Sequence, residues 1–131
     1  MNRKKLLIRI ISLILLIFVL NFLAMKFHWY FTIWYFDMLM HFLGGFWLGL
    51  AFFWFFGKTE IKINIIFKIM FFTLLSILFW EIFEISVDKI ITKNSFNLID
   101  TLSDLSFGLA GVLLAVFYLE KRIILKEKIQ L

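Results

Sequence analysis

The sequence contains no cysteine and no proline. Without cysteine there is no disulfide framework, no thiolate metal site and no thiol nucleophile. Without proline, no helix need be kinked by a missing backbone donor. Acidic residues are the scarcer charge, 9 against 14 Lys and Arg, leaving a net charge of +5. A basic balance of that size suits nucleic acid or a membrane surface, so placement decides. The basic residues sit beside apolar runs rather than along one face of a polar helix, and no nucleic-acid partner is expected. What the sequence has in abundance is apolar surface: 63% of its residues are hydrophobic and its mean hydropathy is +0.99. Soluble domains hold about 45–50%. A soluble fold of 131 residues buries too little of its surface to hide the excess, which makes lipid the natural solvent.

Four runs are long enough for a hydrocarbon core that needs about 20 helical residues. They lie at about 6–25, 37–56, 63–85 and 101–119. Each must be helical, because a spanning segment has to satisfy its own backbone polar groups. The expected fold is an all-α membrane protein, a bundle of four transmembrane helices in one integral membrane domain over residues 1–131. Arg3, Lys4 and Lys5 before the first run resemble the start of a signal peptide. The apolar stretch is too long for one and no small-residue cleavage site follows, so a retained signal anchor is expected.

Orientation follows from the basic residues. Arg3, Lys4, Lys5, Arg9, Lys58, Lys62, Lys68, Lys121, Arg122, Lys126 and Lys128 fall on one side, and only Lys26, Lys89 and Lys93 on the other. The asymmetry predicts both termini in the cytoplasm and a multi-pass protein of the plasma membrane. His28 to Phe36 then forms an outer aromatic belt, and Ser86 to Ile99 is expected as an outer polar loop. The tail after Glu120 reads as a short basic extension of the fourth helix, suited to anionic lipid.

This topology gathers six ionisable residues at one depth near the outer face. The second helix opens with Asp37-Met-Leu-Met-His41, the third closes with Glu81-Ile-Phe-Glu84, and the fourth opens with Asp100-Thr-Leu-Ser-Asp104. Spacings of three or four put each pair on one helix face. Ionisable residues inside a membrane are costly and face a bundle interior or a water-filled cavity. Five carboxylates around one imidazole require that some be protonated or that a cation sit among them. Oxygen ligands with one imidazole suit Mg, Mn, Ca or Zn. Asp37, His41 and Asp104 are the candidate metal ligands, with Glu81, Glu84 and Asp100 as candidate catalytic groups.

Plainer readings compete. Asp37 and Asp100 are also placed to cap helix N-termini. A lone His41 is more often a packed polar residue than a ligand, and Glu81 and Glu84 can snorkel to an interface. However, acidic residues at a helix C-terminus oppose its dipole, and Asp104 lies a full turn inside its helix. Small residues continue the same faces: His41, Gly45 and Gly49 on the second helix, and Asp104, Gly108, Gly111 and Ala115 on the fourth. Such seams let membrane helices approach closely, so these two helices are predicted neighbours, with Thr73 and Ser76 drawing the third beside them. Gly57-Lys58-Thr59 lacks the earlier glycine of a phosphate-binding loop. No serine has a base partner suited to nucleophilic catalysis.

The run from Asp37 through His41 to Gly45, with Trp80-Glu81-Ile-Phe-Glu84 and Asp100-Thr101-Leu-Ser-Asp104 followed by Gly111, resembles the YjdF-type family of small membrane proteins within the VanZ-like group. The likeness covers the second to fourth helices and not the first. Glu84 and the Ser-Phe-Gly stretch stand where the VanZ-like pattern has Gln and Asn, which favours the YjdF-type branch. The resemblance implies a polytopic membrane protein, with VanZ-like relatives linked to glycopeptide resistance, and supplies no reaction. Three functions stay open on the residues alone. The first is a divalent-metal-dependent enzyme acting on a lipid-linked or cell-envelope substrate. The second is a proton- or cation-binding transporter, and the third a non-catalytic accessory subunit whose polar cluster meets a partner helix.

Overall fold

The computed structural model describes residues 2–57, 62–93 and 95–130, so Lys58 and Thr59 lie outside the described residues. α1 (Arg3–Phe27) starts where the Asn2 side chain accepts a hydrogen bond from the Lys4 N–H, 3.0 Å away. It stops at His28, whose backbone is left-handed, with φ 57°. A single turn, α2 (Trp29–Thr32), links it to α3 (Phe36–Phe56). α4 (Ile63–Val87) and α5 (Leu98–Gln130) complete the chain. No strand occurs among the described residues. Four of these helices are long and apolar enough to cross a membrane. Their outward faces carry large apolar side chains such as Phe18, Phe67, Phe79 and Leu113, as lipid-facing surfaces do.

Two expectations about the segment before α5 are corrected. The stretch expected as a polar loop from Ser86 is helical to Val87 and continues as a π-helical turn, Asp88–Thr92. α5 begins at Leu98, because the Asn97 side chain accepts hydrogen bonds from the backbone N–H groups of Ile99 and Asp100. Asn97, not Asp100, is therefore the cap. α5 then runs without a break past Glu120 to Gln130.

α3 and α5 form the most extensive helix pair, and glycine is the reason. A Cβ on Gly45 would collide with the Gly108 carbonyl, and one on Gly111 with the Phe42 carbonyl. Only hydrogen at these positions lets the two backbones touch. α4 lies against both helices, with Ile77 covering Gly108. One turn deeper on all three helices come Gly49, Val112 and the fully buried Thr73. The next turn holds Phe53, Val116 and Ile69. Ser76 does not share this seam: it is half-buried and donates to the Phe72 carbonyl of its own helix at 2.8 Å. α1 packs on α3, where Trp47 Nε1 donates to the Ile10 carbonyl at 3.0 Å.

Candidate functional site

One turn above the Gly45–Gly108–Ile77 layer, the same three faces carry His41, Asp104 and Glu81. A step of four residues returns to nearly the same helix face, so the glycine contact fixes the meeting of imidazole and carboxylates. His41 Nε2 lies 3.6 Å from Asp37 Oδ1 and 3.6 Å from Asp104 Oδ2. It is 4.0 Å from Glu84 Oε2, while His41 Nδ1 is 3.9 Å from Glu81 Oε1. The sequence-derived grouping thus holds for five of its six members. Asp100 is the exception; it is exposed and stands in the wall of a neighbouring cavity instead.

The separations say what the cluster lacks. All four exceed the length of a direct hydrogen bond. Asp104 Oδ1, Glu81 Oε1 and Glu84 Oε2 are buried without any hydrogen-bond partner. Asp104 and Glu81 are only 3% and 5% exposed, and a buried polar atom without a partner is costly. A divalent ion with bonds of about 2.1–2.4 Å sets its ligand atoms about 3.0–3.4 Å apart. Asp37, His41 and Asp104 offer ligand atoms all within 4.8 Å of one another, and so do His41, Glu81 and Glu84. Inward rotation of these side chains would bring either group to the spacing of a coordination shell. Either group could hold a metal ion.

Neither Asp37 nor Asp100 is a helix cap. α3 starts from Tyr35 with no side-chain cap, and the cap of α5 is Asn97. Both aspartates lie in first turns, where the helix dipole favours a negative charge. Beside the cluster, a cavity of about 320 Å³ opens between α4, the π-helical turn and the start of α5. Glu81, Glu84, Asp88, Asp100 and Asp104 line it, with Lys89, Ser95 and Asn97. Glu84 bridges the two regions, facing His41 while its side chain stays 40% exposed.

Sequence reasoning missed Tyr30, which reads as one more aromatic of the interfacial belt. Its hydroxyl donates to Asn21 Oδ1 at 2.7 Å, which ties α2 to α1. Burial, with the negative charges of Asp37 and Glu84 nearby, pushes the phenol up to about 12 from an ordinary value of 10.0. Between those two values the folded chain keeps a proton that the unfolded chain has lost. Stability from this group is therefore whole below pH 10 and declines as pH rises toward 12. The phenolate absorbance of Tyr30, taken as wild type minus Tyr30→Phe, is expected to appear near pH 12. It should move toward 10 in Asp37→Asn; an unmoved midpoint would detach Tyr30 from the cluster. The signal that marks Tyr30 is its distance of seven residues from Asp37, which only the compact α2 turn converts into proximity.

No curated protein and no solved structure matches the chain. A family match covers residues 2–123, from the cap of α1 to the end of the membrane-spanning part of α5, and the chain belongs to DUF2238, a family of predicted membrane proteins.

Proposed function

We propose that this protein holds a divalent cation among Asp37, His41 and Asp104 and acts with it on a lipid-linked or cell-envelope substrate. The observation that carries the reading is Asp104: a carboxylate 3% exposed, with one oxygen lacking any partner, aimed at His41 from across the closest helix contact. Asp37, His41 and Asp104 would hold the cation, which would supply Lewis-acid polarisation of a phosphoryl or carbonyl oxygen. The remaining roles belong to the chain. Glu81 faces Nδ1 of His41 and is the orienting carboxylate that keeps Nε2 toward the ligand group, as outer partners of metal-bound histidines do. Glu84 stands between cluster and cavity, where it can take a proton from water or substrate. Asp100 and Asp88 add to the negative field of the cavity mouth, which concentrates cations. A phosphoryl headgroup in that acidic cavity needs the cation to offset repulsion, which favours Mg, Mn, Ca or Zn as part of the working site.

Transport has less support. Among the described residues, Thr73 is the only fully buried polar side chain deeper than the cluster, and Ile77 stands between. The distribution of basic residues supports placing both termini in the cytoplasm. The cluster then opens on the outer face of the plasma membrane. The three charged motifs support placement in the YjdF-type branch of the VanZ-like group.

The test is metal content of the detergent-purified protein on a tag without histidine, after Mg, Mn, Ca and Zn are each added back. About one tightly held ion per chain is expected. No retained ion would remove the metal site, and an envelope lipid profile unchanged by deletion of the gene would remove the enzyme.

A further inference from the structure

The opposite end of the bundle carries a second polar arrangement, which owes nothing to His41. Arg9 lies six residues into α1, inside the apolar span. Its guanidinium donates to the Tyr118 hydroxyl, with its central carbon 6.0 Å from the ring centre. Arg122, one turn along α5 from Tyr118, brings its own guanidinium carbon to 5.5 Å from the same ring. Two cations therefore flank one phenol. Neither can shed its charge, since guanidinium stays protonated in proteins. The ion pairs around His41 lie at the other end of the bundle from both arginines.

The donor count sharpens the point. A guanidinium presents five N–H groups in a planar fork. Arg9 uses one of these to donate to Tyr118. Two like charges around one ring, with donors to spare, define a place for an anion with several acceptor oxygens. Phosphate oxygens match the arginine fork in pairs. The surroundings select the carrier of that phosphate: Ile8 and Phe117, next along the chain to Arg9 and Tyr118, are 62% and 51% exposed. These are surfaces for acyl chains. Arg3, donating to the Trp54 carbonyl at 2.7 Å, adds a third guanidinium at this end.

We propose that the phosphodiester headgroup of an anionic phospholipid binds between α1 and α5, held by Arg9 and Arg122 over Tyr118. Its acyl chains lie along the apolar flank of α1 and α5. The site belongs to the leaflet away from His41 and is independent of any metal.

Native mass spectrometry of the full chain, released from mixed micelles of phosphatidylglycerol and phosphatidylcholine, tests this. About one phosphatidylglycerol per chain should be retained in preference to phosphatidylcholine. Arg122 is at the surface, so Arg122→Gln should fold and should lower that retention about fivefold; Arg9→Gln with Arg122→Gln should lower it further. Lys5→Gln, an exposed charge at the same end, should leave it unchanged. Equal retention of both lipids would overturn the proposal, as would an Arg122→Gln variant that retains phosphatidylglycerol as wild type does. A loss in Lys5→Gln as large as in Arg122→Gln would replace the site by diffuse surface charge. Inorganic phosphate that displaces phosphatidylglycerol and binds without lipid would assign the pocket to free phosphate and end the lipid reading.

Discussion

Replacing Asp104 by Asn is expected to weaken divalent-cation binding about 100-fold or more, with the fold retained. The change keeps side-chain volume and removes one negative charge from a group whose other ligands stay in place. Loss of an outer partner alone costs a metal site about 10–100-fold, and Asp104 is proposed as a ligand itself. Three variants read together give the assignment its force. Asp104→Asn should empty the site. Glu81→Gln should bind more weakly, within that 10–100-fold range, because His41 loses the negative charge facing Nδ1. Asp100→Asn, at an exposed wall residue of the cavity, should weaken binding far less than either, because only the surrounding field changes. Titration of each purified variant with Mn or Zn, followed by calorimetry or by metal retained after desalting, makes the comparison. Full retention in Asp104→Asn would place the ion elsewhere, and equal losses in Asp104→Asn and Asp100→Asn would reduce the site to a general acidic field.

The second large effect is steric. Gly45→Ala and Gly111→Ala should each destabilise the bundle by about 3 kcal/mol or more, at or beyond the usual cost of overpacking. In each case the added methyl lands on backbone, the Gly108 carbonyl or the Phe42 carbonyl. A side chain can swing aside, but a helix backbone moves only by separating α3 from α5. Gly44→Ala is the internal control, for nothing lies within 4 Å of its Cβ position. Alanine also suits a helix better than glycine, so that variant should equal or exceed wild type. Thermal unfolding in detergent distinguishes the three. If Gly45→Ala melts with wild type, the close contact does not hold the pair together. Because His41 and Asp104 sit one turn above this contact, a pair forced apart should also lose cation affinity.

The sequence carried much of this because both signals are periodic. Runs of twenty apolar residues force helices, and a four-residue step keeps His41, Gly45 and Gly49 on one face opposite Asp104, Gly108 and Ala115. The neighbouring of the second and fourth spans was legible from those small residues alone. Less legible was which aspartate of the Asp100–Asp104 pair turns inward. Both share a face, and only the depth of the Gly45–Gly108 contact puts Asp104 level with His41 and leaves Asp100 above it. The start of α5 was misplaced by three residues, because Asn97 is an isolated cap with no capping-box partner to advertise it. Ser86 to Thr92 looked like a loop on polarity, yet hydrogen bonding to the preceding turn carries the helix on and widens it into a π turn. Tyr30 was hidden because its role depends on a left-handed residue at His28, and nothing in the local pattern announces that reversal.

The order in which the chain is made gives the α3–α5 contact a further meaning. Synthesis delivers α3 first, then α4, and α5 last. Until α5 arrives, the imidazole of His41 and the carboxylates of Asp37, Glu81 and Glu84 have no Asp104 to complete their group, and the glycine groove of α3 faces lipid. A nascent chain halted before residue 104 is thus a membrane-embedded fragment with costly polar groups and an unfilled seam. Arrival of α5 both shuts the seam and brings Asp104 to the cluster. Insertion of α5 and assembly of the cluster are thus a single event.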